Sequence, residues 1–332
     1  MNRLILSIFY KYSIFAQDKR KAMMIRVFFM LALSLIFNAC NGQQQAKTTQ
    51  ESTPERTFEM VSVPSMITEP EKRAEYLAKH YWDKFDFRDT TLTHLPEVTE
   101  QALTNFIDIM KYVSPEAASV SIKGMMGKAE ADSTMFAYFS NLYEKYLYDP
   151  NSPMRNEELY ISVLEKILES PVLDEVNKIR PAHLLELAKK NRVGEKAINF
   201  TYTMADGQSG TLYNVKADYL LLFFYNPGCE ACKEIIEQLT ASSLLADLFK
   251  NKKIKILAVY PDEDLAAWKD YVSHIPSTWI NSYDKSISLK NDEVYDLKAI
   301  PTLYLLDADK KVILKDATFN QVEEFLQYKL YK

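Results

Sequence analysis

The amino-acid sequence predicts an all-helical domain over residues 57–192 followed by an α/β domain over 193–332, the latter with a mixed central sheet and flanking helices. Three observations carry this. Proline followed by glutamate opens three successive segments with helical apolar spacing, at Pro70-Glu71, Pro96-Glu97 and Pro115-Glu116. After residue 193, continuous apolar runs of strand length alternate with amphipathic segments. One of those runs, 220–225, leads directly into Asn226-Pro227-Gly228 and two cysteines at Cys-x-x-Cys spacing, Cys229 and Cys232.

In the helical domain the first segment carries Tyr76, Leu77, His80, Tyr81 and Trp82. The second carries Leu103, Phe106, Ile107 and Met110, and the third Ala118, Ile122, Met125 and Met126. Helices are also expected over 133–148, over 156–168 and from Pro181 to Lys190, giving five to seven in all. The aromatics read as core. The run from Trp82 to Asp89, with Phe85, Asp86, Phe87 and Arg88, is a candidate docking surface, but its pattern also suits a helix end with core aromatics and capping acids.

In the α/β domain, strands are expected over 197–204, 220–225, 254–260, 278–281, 302–306 and 312–317. Helices are expected over 231–249, 264–272, 288–295 and 319–328. Asp307-Ala308-Asp309-Lys310 reads as a hairpin turn.

Composition narrows the function. At 47% hydrophobic and 26% charged the chain is globular in type, and a net charge of −5 with no dense basic run gives no sign of a nucleic-acid partner. With 7 glycines and no Gly-x-Gly-x-x-Gly or Walker pattern, a phosphate-cradling loop is not expected. The four histidines, His80, His94, His183 and His274, form no metal motif with the cysteines.

The third cysteine, Cys40, follows Arg26, the apolar run 27–37 and Asn38-Ala39. That order has the charged and apolar regions of an export signal. A small residue directly before a cysteine resembles a bacterial lipoprotein cleavage site, at which Cys40 is lipidated. Residues 1–39 are therefore expected to be leader and signal peptide, and residues 40–56, polar and without apolar period, a flexible tether. An uncleaved anchor or an ordinary signal peptide is the alternative. A second apolar patch at residues 4–10 and the basic triplet Lys19-Arg20-Lys21 precede Met23 and Met24, either of which could start translation.

The strand–turn–cysteine arrangement suits thiol–disulfide exchange. A helix N-terminus favours a thiolate at Cys229, and Cys232, one turn on, is placed to close a disulfide. A structural disulfide or half of a metal site is the competing reading. Glu230 lies beside Cys229 and disfavours its charge, which points to a less oxidising couple and a reductase.

Residues 193–332 resemble the thioredoxin-like domains of the TlpA/ResA type. The likeness is carried by residues 193–200, by residues 224–233, by Ile300-Pro301-Thr302-Leu303-Tyr304-Leu305-Leu306-Asp307, and by Asp309-Lys310-Lys311-Val312-Ile313. Ile198 stands where a proline is common in the family. The helical region resembles a module of unknown function that precedes such domains in lipoproteins of gut anaerobes.

The resemblance implies that Cys229 attacks, that Cys232 resolves, and that Pro301 is a cis-proline facing the dithiol. It also implies that Ile300 contacts the substrate backbone and that Pro227, Glu230 and Ala231 shape the active-site turn. Relatives of the ResA type often carry glutamate at the position of Ile235. Here Glu234 is one residue early, and Glu195, Asp218 and Glu237 are outside candidates for a proton shuttle. Peroxidases of the fold place threonine or serine where this chain has Asn226.

The sequence is thus read as a periplasm-facing, lipid-anchored thiol–disulfide oxidoreductase of the cell envelope, acting as a reductase of protein disulfides. Its partners are expected to be disulfide-bearing proteins, the membrane through Cys40, and a membrane thiol carrier that supplies electrons. No cofactor is expected beyond the Cys229/Cys232 disulfide. The alternatives are an oxidase or isomerase using the same pair, and a non-enzymatic lipoprotein that binds through its helical domain.

Overall fold

The computed structural model of the chain describes residues 56–330. The expected signal peptide, Cys40 and almost all of the expected tether lie outside the described residues. Six α-helices fill the first half: α1 (Pro70–His80), α2 (Pro96–Ile109), α3 (Pro115–Ala129), α4 (Ser133–Leu147), α5 (Glu157–Glu169) and α6 (Glu175–Lys189). Proline at the first position of α1, α2 and α3 loses nothing, because that N–H has no partner inside a helix. The later helices open on side-chain caps: Asp132 accepts from Thr134 N, Asn156 from Leu159 N and Asp174 from Asn177 N.

The last helix differs from expectation. Pro181 does not open it; α6 starts six residues earlier, at Glu175, and Pro181 lies inside. The Asp174 cap, with Oδ1 2.9 Å from Asn177 N, sets the start instead. These helices close over one core that contains Phe106, Met126, Phe136, Phe139, Tyr143 and Leu164. Trp82 and Phe87 are buried in it, with Trp82 packed edge-on against Phe58, Phe85, Phe106 and Phe139. The Trp82 to Asp89 segment is therefore core and helix end, not an exposed aromatic surface.

The second half is a seven-stranded mixed sheet in the order β2-β1-β5-β4-β3-β6-β7. Its strands are β1 (Thr201–Met204), β2 (Ser209–Thr211), β3 (Tyr219–Phe224), β4 (Ile254–Tyr260), β5 (Ile280–Tyr283), β6 (Thr302–Asp307) and β7 (Val312–Leu314). β3, β4 and β5 run parallel, and β6 lies antiparallel against β3, pairing Phe224 with Thr302. The helices are α7 (Glu230–Ala241), α8 (Ser243–Lys250), α9 (Leu265–Tyr271), α10 (Ser288–Asn291) and α11 (Phe319–Leu330).

Alternation along the central strands splits the core by face. Leu221, Phe223 and Leu305 pack with Ile236, Leu245, Trp268 and Leu326 of the helices. Leu220, Leu222, Tyr304 and Leu306 pack on the other face with Phe200, Leu212 and Tyr295.

The single helix expected over 231–249 is two, broken at Ser242. Ser242 is extended there; its hydroxyl caps Leu245 N at 3.2 Å and donates to Glu323 of α11 at 2.6 Å. A tertiary partner has overridden a continuous apolar period. The expected helix over 288–295 shrinks to Ser288–Asn291, preceded by Ile287 in the left-handed region at φ 56°. β1 and β5 also start later than their apolar runs suggested.

From Arg56 onward the chain is one compact unit. The two halves meet across a seam of buried charge. Lys298 reaches Glu157, Asp296 Oδ2 at 2.9 Å and Asp316 Oδ2 at 3.5 Å. Lys315 Nζ lies 2.7 Å from Glu157 Oε2 and donates to the carbonyls of Ala188 and Lys190. Arg155 pairs with Asp316, and Tyr148 donates to Asp296 at 3.3 Å. Three cations meet three carboxylates, so the cluster is balanced. Burial works against the charge on Lys298, but Glu157, Asp296 and Asp316 outweigh it and hold its pKa above the ordinary value.

Candidate active site

The site forms where β3 ends. Tyr225 closes the strand; its hydroxyl accepts from Trp268 Nε1 at 3.0 Å and donates to Asn281 Oδ1 at 2.7 Å. Burial pushes that phenol's pKa well above its usual range, so it stays a neutral anchor. The chain then reverses through Asn226-Pro227-Gly228-Cys229, with Cys229 N donating to Asn226 O at 3.3 Å. Proline stands second and glycine third in this turn, and Gly228 takes φ +73°, a conformation that favours glycine.

Cys229 emerges as the N-cap of α7. Its Sγ accepts from Cys232 N at 3.2 Å. The unpaired first-turn N–H groups and the positive end of the helix dipole are thus aimed at this sulfur, which favours a thiolate once the pair is reduced. Cys229 and Cys232 are joined as a disulfide, with Cα atoms 5.2 Å apart. The two sulfurs are not equivalent: Cys232 is fully buried and Cys229 is half-buried.

The Ile300-Pro301 peptide bond is cis, and it precedes β6. The Ile300 carbonyl oxygen lies 3.9 Å from Cys229 Sγ. The structure therefore brings Pro227, Cys229, Glu230, Ala231, Cys232, Ile300 and Pro301 to one end of the sheet. Glu230 is exposed and ion-paired with Lys233 Nζ at 3.2 Å, which raises the Lys233 pKa and partly neutralises the acid beside Cys229. Glu195, Asp218, Glu234 and Glu237 are all exposed, and Ile235 is half-buried. Among the described residues no group of three His, Cys, Asp or Glu side chains could hold a metal ion, and no helix is long and apolar enough to cross a membrane.

Sequence reasoning missed the residues that flank the site from the helical half. Asn151 and Arg155 stand opposite Ala231, Ile235 and Pro301 across a shared cleft. No local pattern marks them. Arg155's partner Asp316 lies 161 positions on.

Residues 39–191 match a domain of unknown function, DUF5106, and residues 217–312 match a thioredoxin-like family model. A thioredoxin-like protein from Bacteroides caccae is 51% identical, with a TM-score of 0.80, and the match covers 82% of this chain and 99% of that one. The C-terminal domain of a Bacteroides fragilis protein is 52% identical over 41% of this chain and 98% of its own, with a TM-score of 0.41. The thioredoxin domain of a thiol-disulfide oxidoreductase from Bacteroides vulgatus is 26% identical over 41% and 98%, with a TM-score of 0.36. No curated protein matches the chain.

Proposed function

The chain belongs to the thioredoxin-like family, and on that footing we propose that it is a thiol–disulfide oxidoreductase that reduces protein disulfides at the outer face of a membrane. The observation that carries the reading is the asymmetry of the pair: Cys229 half-exposed at a helix N-terminus, Cys232 buried one turn behind it.

In the reduced protein the Cys229 thiolate attacks one sulfur of a substrate disulfide. The Cys229–substrate bond forms, the substrate S–S bond breaks, and the leaving sulfur takes a proton. Cys232, deprotonated, then attacks Cys229 Sγ. The Cys229/Cys232 disulfide forms and the second substrate sulfur leaves as a thiol. Two electrons pass from the dithiol to the substrate, and the two cysteine protons end on the substrate thiols. The Ile300 carbonyl, 3.9 Å from Cys229 Sγ, is placed to accept a backbone N–H from the docked polypeptide.

The dithiol is the redox group and needs no added cofactor in this scheme. Oxidised protein returns to the dithiol form by taking electrons from a membrane thiol carrier. Cys40, lipidated, tethers the chain to the cell envelope facing the periplasm.

Glu230 supports the reductase direction, since an acid next to Cys229 works against the helix dipole; its pairing with Lys233 tempers the effect. The test is the reduction potential of the pair, equilibrated against glutathione or dithiothreitol. A value at or below roughly −220 mV is expected, and one of roughly −120 to −180 mV would reassign the protein as an oxidase or isomerase. Failure to form a reversible disulfide would remove the enzymatic reading.

A further inference from the structure

The cleft beside the dithiol is not built by the α/β half alone. On one side stand Ala231 and Ile235 of α7 with Ile300 and Pro301; on the other stand Pro150, Asn151 and Arg155, from the loop joining α4 to α5. The cleft is about 410 Å³. A second cleft of about 570 Å³ shares Pro150, Asn151, Arg155, Asp316, Ala317 and Thr318 with it and extends to Glu158 and Val193. Through these shared residues the two form one trough that passes Ala231, the residue between the two cysteines, and follows the seam between the halves.

The helical wall of this trough is preformed. Within the loop, Ser152 Oγ donates to Tyr146 O at 2.6 Å, Asn151 N to Asp149 Oδ1 at 2.8 Å and Asn156 N to Leu147 O at 2.9 Å. Arg155 ties the loop to the other half. Its Nη1 donates to Pro150 O at 2.7 Å, its Nη2 donates to Asp316 O, and its Nε lies 3.3 Å from Asp316 Oδ2. Asp316 sits in the left-handed region at φ 50°, a conformation uncommon outside glycine, asparagine and aspartate.

The lining states what fits. Near the dithiol, Ile235, Ile300 and Phe319 offer apolar surface, and exposed Asn151 and Gln238 offer neutral amides. The charges there, Arg155 and Asp316, are paired with each other. Neutral amides can bond both N–H and C=O groups of an extended backbone. A charged side chain entering this end of the trough meets apolar groups, neutral amides and charges that are already paired, and so finds no counter-charge.

We propose that the helical half selects the substrate: the loop carrying Asn151 is the second wall of a peptide trough, which accepts an extended, uncharged segment flanking the substrate's reacting cysteine. The inference rests on the exchange reading above and adds the substrate class to it. A small disulfide reaches Cys229 without touching this wall, whereas a polypeptide lies against it.

The test uses the full chain with three kinds of disulfide: bis(2-hydroxyethyl) disulfide, a disulfide-linked peptide with alanine and valine flanks, and the same peptide with glutamate or lysine flanks. The uncharged peptide is expected to be reduced with a kcat/KM about tenfold or more above the charged ones. Asn151→Trp, which fills the trough from an exposed position, is expected to lower the ratio of uncharged-peptide to hydroxyethyl-disulfide rates about tenfold, and Asn151→Glu to raise the rate of the lysine-flanked peptide relative to the glutamate-flanked one. Equal rates for the three peptides, or an unchanged ratio in Asn151→Trp, would overturn the proposal. If the wild-type protein reduces the small disulfide normally while these expectations fail, only the trough is lost. If it reduces none of the substrates, the exchange reading falls and the trough with it.

Discussion

The helical and α/β halves solve different problems. In the helical half, 57–190, every non-glycine residue described keeps a negative φ, and one core gathers side chains from successive helices. In the α/β half and its junction, Asn191, Lys252, Ile287, Glu293, Lys310 and Asp316 all take positive φ, as do Gly194, Gly207 and Gly228. Left-handed positions cluster where loops must be aimed, and the dithiol turn is one of them. The regular half supplies a stiff body; the irregular half supplies the chemistry. They are joined by neither core. They meet through paired charges around Lys298, and these charges hold in place the loop that lines the cleft beside the dithiol.

That contrast can be broken most severely at Lys298. Replacing it with methionine leaves Glu157, Asp296 and Asp316 facing only Lys315 and Arg155, so one carboxylate becomes uncompensated in a buried site. Lys298→Met is expected to destabilise the protein by about 3–5 kcal/mol. In a denaturant titration followed by circular dichroism and by tryptophan fluorescence, the two halves should then unfold in separate steps. A single transition at the wild-type midpoint would mean that the seam does not hold them together.

A smaller effect, of opposite sign, is expected at Tyr304. Its hydroxyl is buried near the same carboxylates with no hydrogen-bond partner. Tyr304→Phe removes an unsatisfied polar group and should stabilise the protein by about 1 kcal/mol. A destabilised variant would show that the hydroxyl contributes to the seam.

The mildest test is alkaline pH. Burial raises the phenol pKa of Tyr143 and Tyr160 in one half and of Tyr295 and Tyr304 in the other above the ordinary 10.0. The folded protein keeps protons that the unfolded chain releases, so this contribution is complete below pH 10.0 and is lost as pH rises above it. The share of phenolate absorbance that comes from these four buried phenols should therefore appear together with unfolding in both halves. Earlier ionisation confined to one half would show that it opens independently.

Much of this was legible along the chain. The three proline–glutamate helix starts, the apolar run into Tyr225, and the placing of Cys229 and Cys232 on a first helical turn depend on a few neighbouring residues. Propensity, capping and turn chemistry act at that range. The same reasoning placed Pro301 in the segment that meets the dithiol, through its likeness to a family pattern.

Where expectation and structure part, a distant partner or a competing cap is responsible. The apolar period over 231–249 breaks at Ser242 because Glu323, 81 positions away, takes its hydroxyl. Helix α6 begins at Asp174's cap and carries Pro181 inside; the turn before Pro181 is held by that cap and by the Arg180–Glu144 ion pair, not by core packing, since Val176 and Ile179 are exposed.

The seam and the trough were not legible at all. Glu157 and Lys298 are 141 residues apart, and nothing local marks either as buried. Lysine, glutamate and asparagine at such positions read as solvated surface, and they become a charge cluster and a wall only when two cores are set side by side. Chain-local preferences thus determined the elements and the dithiol turn. Which charges face each other, and what stands across from the dithiol, was decided by packing, because those energies exist only between groups that the fold brings together.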